Sequence, residues 1–99
     1  MADDDRAGTE VRRNDGAGRY ELLLDGDLVG VADYQDAGDA LVFPHTEIDP
    51  AHRGRGLGEV LVRAAMDDVR AAGRTVVARC WFVRQFLDAN PAYADLRAR

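Results

Sequence analysis

Apolar positions change their period about halfway along the chain. Up to residue 48 they come in short runs broken by turn-forming residues, and beyond residue 56 they recur at helical spacing. Residues 9–13 read as a short edge strand, closed by a turn over Asn14, Asp15 and Gly16. Arg19–Leu24 and the run 28–34 flank Asp25-Gly26-Asp27, a strong hairpin signal. After a turn at residues 36–39, Ala40–Ile48 reads as a further strand. Pro44 lies within it and has no amide hydrogen to give, which predicts a bulge or an unpaired position there.

In the second half, Leu57, Val60, Leu61, Ala64, Ala65, Val69 and Ala72 form one stripe over residues 56–72, which predicts a helix. Glu59, Arg63, Asp67 and Arg70 take the opposite side, with Glu59 four residues before Arg63 in the favourable order for a surface pair. Gly73 predicts the stop. Residues 75–80 are β-branched and bounded by glycine, so they read as a buried strand. Trp81–Ala89 reads as a second helix halted before Pro91, with Trp81, Phe82 and Phe86 as its packing residues. Residues 93–99 form a last turn that frays.

The first eight residues are polar, rich in aspartate and without period, and predict a solvated acidic tail before a single domain over 9–99. The fold class expected is α/β (α+β): an antiparallel meander, then a β-α-β unit, then a C-terminal helix. The crossover should be right-handed and its two strands parallel. Ligands of such units bind beyond the carboxyl ends of the strands, where a helix N-terminus also points. That crevice is bordered by residues 49–58 on one side and by Cys80 and Trp81 on the other.

Composition narrows the function. A chain of 99 residues has room for one domain. The net charge of −5 opposes broad binding to nucleic acid or to an anionic membrane. No apolar run approaches the length a bilayer needs. The acidic start lacks the basic and apolar pattern of a signal peptide, so a cytoplasmic protein is expected. One cysteine excludes an internal disulfide and a zinc ribbon, and no metal is expected.

Candidate chemistry concentrates in Arg53-Gly54-Arg55-Gly56-Leu57-Gly58, between strand and helix. Glycines let successive amides close around an anion, and the helix adds unpaired donors and the positive end of its dipole. Arg53 and Arg55 supply fixed charge in a chain that is otherwise acidic. The bland alternative is a flexible turn that merely ends a strand. A nucleotide P-loop would need Gly-Lys-Ser/Thr, and the chain has no lysine. A dinucleotide fingerprint needs G-x-G-x-x-G, where this loop has G-x-G-x-G.

The pattern Arg-x-x-Gly-x-Gly, carried by Arg53, Gly56 and Gly58, resembles the pyrophosphate-binding motif of the GNAT superfamily of acetyl-CoA-dependent N-acetyltransferases. More narrowly, residues 45–50, the glycine loop, residues 79–83 and residues 90–93 look like its small single-domain branch, over residues 11–96 in all. The resemblance implies acetyl-CoA lying between two parallel strands that splay apart. Its pyrophosphate would rest on the amides from Arg53 through Gly54, Arg55, Gly56 and Leu57 to Gly58. Its pantetheine arm would run along Ile48, Asp49 and Pro50. From its place in the first turns of the second helix, Arg84 reads either as a residue approaching the adenosine phosphates or, the more ordinary role, as a solvated arginine. Larger relatives add strands after the last helix, so part of the acceptor wall is expected to be missing or supplied by another subunit. The branch usually has proline where Ala78 stands and often histidine where Asn90 stands.

Three side chains are candidates for the chemistry. His45 and Glu47, two apart on a strand, share a face and suit proton removal from an amine. The competing reading is a histidine bonded within the sheet beside a solvent-facing glutamate. His-x-Glu also occurs in zinc deaminases, but those require a pair of cysteines. Cys80 precedes a helix, where a thiol could take the acetyl group as an acetyl-cysteine intermediate. The commonest role of a lone cysteine is that of a small buried hydrophobe, and direct attack by the amine needs no thiol. His52 reads as a surface residue or a neighbour of the phosphates rather than a catalyst, and Tyr93 is a weak candidate for protonating the thiolate. The expected activity is acetyl transfer to an amine by a monomer or weak homodimer, with a small-molecule or peptide acceptor. The alternative is a non-catalytic acyl-CoA-binding or interaction module. The acidic surface mildly favours a cationic acceptor.

Overall fold

The computed structural model describes residues 8–98, so the acidic tail expected over residues 1–8 lies outside the described residues except for Gly8. Five strands form one sheet in the order β1-β2-β3-β4-β5. They are β1 (Thr9–Asn14), β2 (Arg19–Leu24), β3 (Asp27–Asp36), β4 (Ala40–Ile48) and β5 (Thr75–Ala78). The first four pair antiparallel, and β5 pairs parallel to β4. Asp25 and Gly26, both at positive φ (51° and 88°), make the tight turn joining β2 to β3.

The bulge expected at Pro44 is present. The β3–β4 register runs from Asp33 opposite His45 to Gln35 opposite Val42, so Tyr34 alone faces Phe43 and Pro44. Two elements connect the sheet to its cover, α1 (Leu57–Ala71) and α2 (Trp81–Ala89). Gly73, at φ 71°, closes α1 as its sequence predicts, donating to the Arg70 carbonyl while Arg74 donates to that of Val69.

The face of α1 turned to the sheet is wider than the expected stripe. Val62 and Met66 are fully buried, whereas Ala72 is exposed, because α1 lies across all five strands. Tyr20 and Phe43 stack at its centre with ring centroids 6.0 Å apart, and the Tyr20 hydroxyl donates to Asp68 of α1 at 2.7 Å. Burial and that bond push the phenol well above its ordinary range.

Three expectations need correcting. The buried strand expected over residues 75–80 stops at Ala78. Trp81 is not a packing residue: 65% of its surface is exposed, while Phe86 is buried and Phe82 half-buried. Residues 91–96 form a 3-10 turn, after which Arg97 makes a parallel bridge to Val76 and Ala98 donates to the Val76 carbonyl, so this segment is tied to the outer edge of β5.

Candidate functional site

Two parallel strands part at Phe43. The β4–β5 ladder ends with Phe43 opposite Ala78, and the amides of Arg79 and Cys80 then both donate to the Phe43 carbonyl, at 3.1 and 2.9 Å. One acceptor serving two donors swings the chain out of the sheet and into α2. β4 continues from Pro44 to Ile48 with β3 on one side and an open edge on the other. The result is a cleft of about 960 Å³, lined by residues 44–48, 52–54, 56–59 and 79–82.

The upper wall is the glycine loop. Asp49 caps a 3-10 turn (Pro50–His52), its carboxylate accepting from the Ala51 amide at 3.0 Å. Gly54 and Gly56 follow at φ 79° and 75°, in the left-handed region where a side chain is strained. Gly56 caps α1 without a side-chain acceptor. Consequently the amides of residues 54–59 meet no acceptor among the described residues. Six consecutive unpaired amides at the start of a fifteen-residue helix leave free donors at the positive end of its dipole. The Arg53 Nε donates to the Ile48 carbonyl at 3.3 Å, and an Arg55 Nη donates to His52 Nδ1 at 3.3 Å. Neither arginine is held by a carboxylate, so both charges remain available at the loop.

Gly58 answers to a different constraint. A Cβ built there would lie 2.5 Å from Cζ of Phe82, so the glycine is required by the approach of α2 rather than by its own backbone angles.

At the fork, His45 Nε2 and Glu47 Oε1 are 3.1 Å apart, and both side chains are more than half exposed. A carboxylate only accepts, so the hydrogen of this pair sits on Nε2, and in the neutral imidazole the lone pair is on Nδ1. Cys80 lines the same cleft as the N-cap of α2, half-buried, its thiol making no capping bond.

Of the residues singled out from the sequence, His45, Glu47, Ile48, His52, Arg53, Gly54, Gly56, Leu57, Gly58 and Cys80 line the cleft. Asp49, Pro50 and Arg55 belong to the loop behind that lining. Arg84 stands apart: it donates to the Arg79 carbonyl at 3.3 Å and does not line the cleft. Tyr93 is also elsewhere, donating to Asp67 of α1 at 2.7 Å and stacked edge-on to Phe86. Trp81 lines the cleft as its place at the crevice border predicts, and Thr46, Glu59, Arg79 and Phe82 line it without having been singled out for it. The exposure of the Trp81 side chain had a signal of its own, since helical spacing puts it on one face with Arg84, Gln85 and Asp88. Among the described residues no three of His, Cys, Asp and Glu gather as a metal-ligand set, and no helix is long and apolar enough to cross a membrane.

A mixed sheet whose parallel strands fork over a glycine loop defines a GNAT-like α/β domain. Residues 19–96 match the family described as GCN5-related N-acetyl-transferase, and the chain belongs to that family. It is 36% identical over 59 residues to Protein NATD1 of Bos taurus, a match covering 59% of this chain and 52% of that protein. The chain thus spans about half the length of this curated relative. Among solved structures, a GCN5-like protein of Staphylococcus aureus shares the fold with a TM-score of 0.70 at 17% identity, over 93% of this chain and 90% of that one. N-acetylglutamate synthase of Neisseria gonorrhoeae, solved with coenzyme A and N-acetyl-glutamate, shares it with a TM-score of 0.54 at 22% identity, over 75% and 20%.

Proposed function

We propose that this domain binds acetyl-CoA and transfers its acetyl group to an amine. The observation that carries the reading is the run of unpaired amides over residues 54–59 at the mouth of a forked cleft. A diphosphate there meets several N–H donors, a helix dipole and two arginines without carboxylate partners. The fold neighbour solved with coenzyme A supports the same cofactor here.

Below the loop, the Ile48 carbonyl faces the open edge, where Arg53 reaches it. Main-chain groups alternate sides along a strand, so those of Thr46 face the same edge. The Thr46 and Ile48 amides are thus placed to pair with a pantetheine arm and to receive the oxyanion that forms when the thioester carbonyl is attacked. His45, oriented by Glu47, takes the ammonium proton on Nδ1. The freed amine forms the C–N bond, the C–S bond breaks, and the second amine proton passes to the departing thiolate. Direct transfer needs no covalent intermediate.

Calorimetric titration with CoA and acetyl-CoA should show one site, and an amine panel with acetyl-CoA should release free thiol. No heat with either nucleotide would overturn the reading.

A further inference from the structure

Apart from Arg84, whose guanidinium donates to the Arg79 carbonyl, the described arginines outside the cleft and its glycine loop are held by carboxylates, as Arg19 is by Glu21, Arg70 by Asp95, Arg74 by Asp36 and Arg97 by Asp88. Arg79 is not. It is exposed, lines the cleft, and its guanidinium meets no carboxylate among the described residues. In a chain of net charge −5, Arg79 is one of two arginines, with Arg53 of the glycine loop, that line the cleft without a carboxylate among the described residues.

Its position separates it from the phosphate loop. The Arg79 amide is bonded to the carbonyl of Phe43, two residues before His45, so Arg79 springs from the fork at the level of the His45–Glu47 pair. From there β4 runs on to Ile48, about 10 Å further at strand rise, before the loop begins. Next to Arg79, Trp81 lines the cleft with 65% of its surface open, a large apolar face that the fold leaves uncovered.

One end of the cleft therefore combines a proton acceptor, an unpaired guanidinium fork and an aromatic face. We propose that the acceptor is an amino carboxylate: its amine meets His45, its carboxylate is held by Arg79, and its side chain lies on Trp81. Arg79 suits a carboxylate because its planar fork matches two carboxylate oxygens. The same charge repels polyamines and basic peptide ends, which reverses the preference suggested by the acidic composition. The inference rests on the acetyltransferase reading and names the substrate class of that site.

The test uses matched pairs that differ only in the carboxylate: L-phenylalanine with phenethylamine, and L-leucine with isopentylamine, with spermidine as a polycation. Trp81 is the only tryptophan, so its fluorescence in CoA-saturated protein reports binding without requiring turnover. Fluorescence should titrate with the amino acids and not with the amines or spermidine. Thiol release from acetyl-CoA should favour the carboxylate-bearing member by about tenfold or more in kcat/KM. Arg79→Gln should remove that preference through KM alone, with CoA affinity and melting temperature unchanged. Equal or better use of the amines or spermidine would overturn the proposal. So would the absence of amino-acid binding to CoA-saturated protein, or an Arg79→Gln variant weakened toward CoA itself. Failure of the wild-type chain to bind CoA would instead overturn the acetyltransferase reading.

Discussion

A methyl group on Gly58 would sit 2.5 Å from the ring tip of Phe82 and within 3.3 Å of both neighbouring ring carbons. Gly56, two residues earlier, has open space around it but a φ of 75°. The two glycines of one motif are thus fixed by different physics, one by a packing contact and the other by backbone conformation. Gly58→Ala should cost about 1–3 kcal/mol through overpacking, offset by about 0.5–1 kcal/mol of improved helix propensity. The displaced ring lines the cleft, so CoA affinity should fall as well. Phe82→Leu removes the offending ring tip. Thermal unfolding and CoA titration of the two single variants and the double should show the pair costing less than the sum. Strict additivity would mean that the contact does not hold the loop in place.

The Glu47 carboxylate sets which ring nitrogen of His45 is free. Glu47→Gln keeps the size but lets an amide N–H face the ring, so the imidazole can turn its lone pair inward to Nε2 and away from the substrate. We expect kcat to drop by about tenfold or more while calorimetric CoA affinity is retained. An unchanged kcat would remove His45 and Glu47 from the proton path.

Much of this arrangement is legible in the sequence because it depends on near neighbours. The bounds of β2, β4 and α2, the bulge at Pro44 and the glycine stop of α1 all follow from local turn chemistry and missing donors. The end of β5 does not. Whether Arg79 and Cys80 stay in the strand is decided by one carbonyl far away in sequence, that of Phe43. The unpaired state of Arg79 is likewise a long-range result, because it depends on where every other arginine finds its carboxylate, as Arg13 does at Asp68 and Arg74 at Asp36. The place of Trp81 at the crevice was legible from the order of elements, whereas its large apolar side chain read as packing although helical period puts it on a polar face.

Glu21 is buried on the sheet face opposite α1, where Arg19 donates to it at 2.9 Å and Asn14 at 3.1 Å. These bonds, that of Arg19 foremost, hold its carboxyl below the usual glutamate range. A lowered folded-state pKa contributes stability that is present above the unfolded value and lost as pH falls through the folded one. Glu21→Gln should therefore melt below the wild type at neutral pH. The gap between the two melting curves should close as pH drops below about 4. A gap that persists unchanged into acid would show that the loss comes from packing and not from the charge.

Cys80 occupies the N-cap of α2 in an extended conformation (φ −78°, ψ 130°), and its side chain accepts no amide hydrogen from the first turn. Serine has the same size and a better acceptor, suited to the amide of Phe82 or Val83 at the second and third helical positions. Cys80→Ser should therefore stabilise the domain by up to about 1 kcal/mol, a rise in Tm of roughly 4–8 °C for a chain of this size. The same substitution tests the chemistry, since a hydroxyl cannot replace a thiol as the carrier of an acetyl group at a comparable rate. Direct transfer predicts a variant that melts higher and keeps its kcat, with no acetyl adduct in the intact mass of wild-type protein mixed with acetyl-CoA. If the variant gains stability but loses turnover, and the wild type gains the mass of one acetyl group, then the amine attacks acetyl-Cys80 and His45 serves that second step instead.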